Sequence, residues 1–338
     1  MSKKYDCVDA AKLVMSLFVV AIHANLFNQA LFPTIRLAVP VFFIFTGFFT
    51  FSKINKMPFG NRKQVLWKIE KRYMQLYLFW FVVLLPFTLY NRQYHTYGLP
   101  ELIPVFLRHL VWGSTFPASW YLAACMLGIG VVYLLSGCKC FWHIVIAAAA
   151  YLLATVTSKY ELIIAENELF NMCYMTLKRC VGSPCNNVFA AILYIMVGRM
   201  LAEQKIFCVN GRKSLMGFVI CYMGLLCEFF LAKRQPWFAP GCDCWFMLAP
   251  TAFFLVSVVM RLEIKLPCAA FLRTTSTIVY CSHLPVMMVV RKLISVAGIR
   301  DSQNVFVFSV TIMCSVILSV AITRLEKHRK FRFLQYSH

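Results

Sequence analysis

Ten stretches of this chain are apolar over enough length to cross a bilayer, and that feature limits the fold more than any motif does. They fall at about residues 8–31, 34–53, 73–92, 118–137, 141–158, 186–204, 214–232, 245–261, 275–297 and 303–324. Each run is continuous rather than short and alternating, which predicts α-helices and not barrel strands. The expected architecture is an all-α, polytopic integral membrane protein with about ten transmembrane helices. No repeat or composition break divides it, so residues 1–338 read as one transmembrane domain ending in a basic tail over 325–338. Polar residues interrupt the first run and no small-residue cleavage site follows it, so it reads as a resident helix rather than a removable signal peptide.

Composition enters where charge must be explained. Only 14% of the residues are charged, against roughly 25% in a soluble domain, yet the net charge is +21. Basic residues of a membrane chain gather in cytoplasmic connections, and there is no soluble basic domain to hold nucleic acid, so that partner is excluded. With the amino terminus inside, Lys and Arg favour the cytoplasmic side by roughly two to one, which predicts both termini in the cytoplasm. The 159–185 connection, with Glu161, Glu166, Glu168, Lys178 and Arg179, is then the longest external segment and a candidate cover for an outward-facing cleft. Glu101 to Gly113 is too short to span and reads as an external interfacial helix.

Fifteen cysteines are scattered, many in apolar runs where they act as small hydrophobes. Two C-x-C pairs, Cys138/Cys140 and Cys242/Cys244, have no second pair at zinc-ligand spacing, so no metal site is expected. Cys173, Cys180 and Cys185 share the long external connection, where disulfides are open but not required.

The first span carries the chemistry. His23 follows Lys12 by eleven residues, about 20° past three full helical turns, and Asp9 and Ser16 fall within about 40° of the same line. A column of four polar groups over roughly 20 Å of rise must face a bundle interior or a wet cavity. An imidazole there can take a proton from a hydroxyl and return it to a leaving group. The bland alternative is a packing histidine satisfied by a carbonyl, with Lys12 snorkelling at the helix end. The functional alternative makes Lys12 a cation suited to phosphate.

Other constellations are weaker. Lys68, Lys71 and Arg72 recur at helical spacing, either as ordinary topology and anionic-lipid signals or as a face for a polyphosphate donor. Ser276, Tyr280 and His283 share one helix face just before Pro285. Trp120 and Tyr121 fit an interfacial aromatic belt or a sugar-stacking platform. Glu228, deep in the seventh span, is expected to pair with Lys233 or Arg234.

Four of these segments together resemble the membrane-bound acyltransferase-3 family, whose bacterial members O-acylate cell-surface glycans. Lys12 and His23 resemble its basic residue, ten positions, histidine hallmark. Val39 to Phe48 resembles its apolar Phe-Phe-x-x-(Ser/Thr)-Gly-Phe segment, Ser119-Trp120-Tyr121-Leu122 its Trp-(Phe/Tyr)-Leu element, and Ser276 to His283 its late Ser-x-x-x-Tyr-x-x-His signature. The order runs from the first span to the ninth. Two departures stand out: Lys12 occupies the place of an arginine, and the family's Arg-x-x-Arg pair reads Arg72-Tyr73-Met74-Gln75.

The resemblance implies a membrane O-acyltransferase of the bacterial inner membrane. It would move an acyl group, expected to be acetyl, from cytoplasmic acyl-CoA to a hydroxyl of a cell-surface or lipid-linked carbohydrate. His23 would be the catalytic base, and Lys12, Lys68 and Arg72 would bind the donor. Trp120, Tyr121, Ser276, Tyr280 and His283 would bind substrate. Acyl-CoA enters as co-substrate rather than bound cofactor, and membrane lipid surrounds the chain. The competing expectation is a polytopic transporter or exporter of a polar or lipid-linked substrate, against which stands the lack of an inverted repeat.

Overall fold

A computed structural model describes residues 5–26, 31–90, 97–112, 115–116, 119–137, 140–161, 166–204, 210–235, 244–298 and 304–338. Among them there is no strand, and thirteen α-helices follow one another. These are α1 (Asp6–His23), α2 (Phe32–Ile35), α3 (Ala38–Asn55), α4 (Arg62–Tyr90), α5 (Leu99–Trp112), α6 (Ser119–Leu134) and α7 (Cys140–Lys159). Then come α8 (Glu168–Val181), α9 (Val188–Ala202), α10 (Gly211–Lys233), α11 (Leu248–Val259), α12 (Ala269–Val296) and α13 (Asn304–Leu325), closed by a 3₁₀ segment, Arg329–Ser337.

Each expected span coincides with a helix, but seven of the described helices are long and apolar enough to cross a membrane, or eight if a pair bent by 41° between α8 and α9 is one span. The shortfall has physical causes. α1 carries Asp6, Asp9 and Lys12 within its 18 residues. α9 is 15 residues long and α11 only 12, too short alone for ~30 Å of hydrocarbon. α1 packs on α12 and α3, α11 on α10 and α3, and α9 on α3, α6 and α7. A helix shielded by neighbours need not present the apolar surface that lipid demands.

The tightest crossing joins α3 to α9. A Cβ built on Gly198 would lie 2.1 Å from the Ile44 carbonyl oxygen, and one on Gly47 2.3 Å from that of Ile195. The absence of two side chains therefore sets how closely the backbones approach. Beside this crossing Arg199 is buried, its Nε donating to Glu203 at 2.7 Å and its Nη1 to the Val132 carbonyl at 3.2 Å. The main apolar core gathers around α3, α6 and α9, and a smaller one joins α1, α12 and α13 through Val20, Val279, Met287 and Val307.

The connection from 53 to 72 is largely helical, because Arg62–Arg72 is rich in strong helix formers and simply begins α4. The 159–185 connection contains α8, whose first turn is capped by Asn167 accepting from the Phe170 N–H at 3.2 Å. Here Lys178 donates to Glu161 at 2.8 Å, which holds its ammonium above the usual pKa, and Arg108 of α5 donates to the Arg179 carbonyl at 2.8 Å. Glu228 accepts from the Phe246 and Met247 N–H groups, both at 2.8 Å. Its carboxylate caps the start of α11, where unpaired N–H groups attract an anion.

The segment expected at 101–113 is α5, a helix too short to span. Cys173 and Cys180 are exposed free thiols, and Cys185 is buried. The two C-x-C pairs extend at Cys138 and Cys242 outside the described residues, as do Lys3, Lys4, Lys139 and Lys205 of the charge count. The tail is held: the Trp80 indole N–H donates to the Ser337 carbonyl at 2.9 Å in a buried contact.

Candidate active site

The polar column of α1 turns inward along its length. Asp9 is buried and receives a two-pronged ion pair from Arg273 of α12, Nε to Oδ1 at 3.0 Å and Nη2 to Oδ2 at 2.6 Å. One turn on, Lys12 borders a cavity of about 120 Å³, with its ammonium 4.9 Å from the centre of the Phe49 ring. Ser16, fully buried, returns its hydroxyl to the Leu13 carbonyl at 2.7 Å. His23, the last residue of α1, lies with its ring centre 5.1 Å from that of His283 on α12. α1 and α12 thus run together for their whole shared length because both place polar groups on the facing sides.

The cavity is walled by Lys12, Thr46, Tyr73, Tyr121, Ser276, Tyr280 and Cys281, with Phe42, Leu76, Leu122 and Thr277 completing it. Its polar wall is tied together: Thr46 bonds Tyr121 at 3.2 Å and receives the Tyr73 hydroxyl at 3.3 Å, while Ser276 donates to the Arg273 carbonyl at 2.8 Å. Tyr280 stands against Tyr121 and Phe42, at 5.2 and 5.9 Å between ring centres, and 6.1 Å from His283 on its other side. A space this small takes a slender chain and not a nucleotide, whose binding pockets run to several hundred cubic ångströms (~300 or more).

Neither His23 nor His283 lines that cavity, but Tyr280, which does, has its ring 6.1 Å from that of His283. His283 is fully buried. Its Nδ1 bonds the Tyr280 carbonyl at 2.6 Å, and since a carbonyl only accepts, Nδ1 carries the proton and Nε2 keeps its lone pair. Among the described residues that Nε2 has no hydrogen-bond partner. Ring nitrogens on imidazoles so spaced can share one bridging oxygen, whether of a hydroxyl or of water.

The sequence-predicted residues therefore divide. Lys12, Tyr121, Ser276 and Tyr280 come together on one cavity, and His23 with His283 forms a second centre next to it. Arg72 is exposed but lies in electrostatic range of Lys12, with Arg273, Lys53 and Asp9. Lys68 is exposed on α4, away from the cavity wall. Trp120 leans on Phe43 at 6.0 Å and is not on the wall, although its neighbour Tyr121 is. No described residue of 159–185 borders the cavity. Arg273, Thr46, Tyr73 and Cys281 were not anticipated as parts of a site. Only Thr46 carried a signal, as the hydroxyl position of the Phe-Phe-x-x-Thr-Gly-Phe segment.

Comparison with known proteins gives a family match over residues 5–324, described as an acyltransferase domain. A serine/alanine racemase of Enterococcus gallinarum is 23% identical over 268 residues, 75% of this chain and 37% of that protein. An amino-acid racemase of Enterococcus faecalis is 22% identical over 340 residues, 97% of this chain and 47% of the other. The chain spans less than half the length of these curated relatives. No solved structure matches it.

Proposed function

The chain belongs to the acyltransferase-3 family, and from that premise we propose that this membrane protein transfers an acyl group, expected to be acetyl, from acyl-CoA to a carbohydrate hydroxyl. Its home is a bacterial plasma membrane, with both termini in the cytoplasm and the acceptor, a cell-surface or lipid-linked glycan, arriving from the other face. The observation that carries the reading is the joint inward placement of Lys12 and His23 on one side of α1, with Lys12 and Tyr280 on the cavity wall and the His23 ring 5.1 Å from that of His283. Eleven residues of helix separate them by about 16 Å, a distance an extended pantetheine arm can bridge.

In the proposed reaction, donor phosphates rest at the Lys12 end, with Arg72 and Lys68 supplying further positive charge. The pantetheine arm threads the cavity, whose size excludes bulk water. His23 takes the proton of the acceptor hydroxyl as its oxygen attacks the thioester carbonyl. The carbon–sulfur bond breaks, and the imidazolium returns the proton to the leaving thiolate. Tyr121, Ser276, Tyr280 and His283 orient the reacting groups, and Trp120 borders the approach of the acceptor. The racemase names belong to proteins of which this chain spans less than half, so that chemistry is not carried over.

The test is direct. Purified protein in nanodiscs is given acetyl-CoA labelled in the acetyl group together with candidate glycans, and both label and free thiol are followed. The expected result is label on a glycan with one free thiol per acetyl moved. Label that stays on CoA while a polar solute crosses the bilayer would establish a transporter instead.

A further inference from the structure

We propose that Arg273 is a donor-binding residue: its guanidinium, aimed by Asp9, grips a phosphate of the CoA nucleotide at the mouth of the Lys12 cavity. The inference rests on the acyl-CoA reading above and adds to it a residue outside every segment quoted for the family likeness.

The placement comes first. Arg273 precedes by three and four residues Ser276 and Thr277, which wall the cavity, so it lies one helical turn outside it. Its side chain is 61% exposed, while that of its partner Asp9 is 6% exposed. The carboxylate is fixed inside and the guanidinium faces out.

The geometry then limits what the free edge can hold. Two of the five guanidinium N–H groups, on Nε and Nη2, are spent on Asp9. Three remain, and among the described residues they have no protein acceptor. A planar edge with parallel N–H donors matches two oxygens of one phosphate. Locking one edge on a buried carboxylate removes much of the rotamer freedom an exposed arginine would otherwise lose on binding. Arg273, Arg72 and Lys53 all lie in electrostatic range of Lys12, so positive charge collects about the ammonium, while the carboxylates in range of Arg273 are Asp9 and Asp6. Lys12 stands where the family's arginine is expected and offers a point charge without a fork. Arg273 supplies the missing fork from the neighbouring helix.

The Asp9–Arg273 pair is neutral in sum, so removing both charges leaves the field of the mouth nearly unchanged and isolates the directional contact. The experiment measures binding of coenzyme A, 3′-dephospho-CoA and pantetheine by calorimetry and by thermal stabilisation. It uses the protein in nanodiscs: wild type, the double variant Asp9→Asn/Arg273→Gln, and Arg273→Lys, which keeps a cation for Asp9. In the expected result, wild type binds coenzyme A well and pantetheine poorly. The double variant then loses about 10- to 100-fold in affinity for coenzyme A, the cost of one charge-assisted pair, and binds pantetheine as before. Arg273→Lys falls in between. Equal coenzyme A affinity in wild type and both variants would overturn the role of Arg273 while leaving the acyl-CoA reading intact. Coenzyme A bound no better than pantetheine by wild type would remove the donor reading, and this inference with it.

Discussion

Replacing His23 with alanine lowers acyl transfer by about a thousandfold or more while the protein still inserts and purifies normally. The size follows from what a positioned base contributes, roughly 10²- to 10⁴-fold. Folding is spared because His23 ends α1, is only half-buried, and has the His283 ring as its main polar neighbour. The check is initial rate against acetyl-CoA, with circular dichroism and elution profile as controls. A variant within tenfold of wild type would place the base elsewhere, with His283 Nε2, unpartnered and carrying a lone pair, next in line.

Gly198→Val has the largest expected effect on stability. The new Cβ would start 2.1 Å from the Ile44 carbonyl oxygen and 2.7 Å from the Phe48 nitrogen, and both contacts are backbone that cannot swing away. Overpacking a core costs about 1–3 kcal/mol when side chains can adjust. A backbone clash at a helix crossing belongs at or beyond about 3 kcal/mol, enough to take most of a typical margin. Gly130→Ala is the control, because nothing lies within 4 Å of a Cβ there. Thermal unfolding in detergent should drop sharply for Gly198→Val and stay level for Gly130→Ala. Equal midpoints would mean that α3 and α9 do not approach as closely as described.

How much of this could be read beforehand depends on how far apart in the chain the cause and its partner lie. The polar column of α1 was legible because one helix's periodicity lays Asp9, Lys12, Ser16 and His23 on one face, and their inward direction follows from the cost of lipid exposure. Ser276, Tyr280 and His283 were legible for the same reason. Their partners were not: Asp9 meets Arg273 across 264 residues, and no local pattern marks that arginine as more than a topological charge. The backbone bonds of Glu228 were hidden for a related reason. Nearby Lys233 and Arg234 are visible in sequence, whereas the start of α11 becomes a partner only when α10 and α11 pack. Trp120 and Tyr121 look alike in sequence, but 100° of helix turns one to the cavity and the other to Phe43. Of the ten expected spans, seven or eight of the described helices are long and apolar enough to cross a membrane, and the others are short or charged helices packed among neighbours.

Tyr280 is the element on which the mechanism turns, for it lines the cavity and its ring stands 6.1 Å from that of His283. The most direct measurement is a structure of the protein with desulfo-CoA, a donor mimic that cannot react. The account predicts phosphates beside Lys12, the arm through the cavity with the Tyr280 ring displaced, and the terminal carbon in contact with His23. A bound mimic whose terminal carbon stops on the Lys12 side of an unmoved Tyr280, or whose phosphates lie away from Lys12, would contradict it.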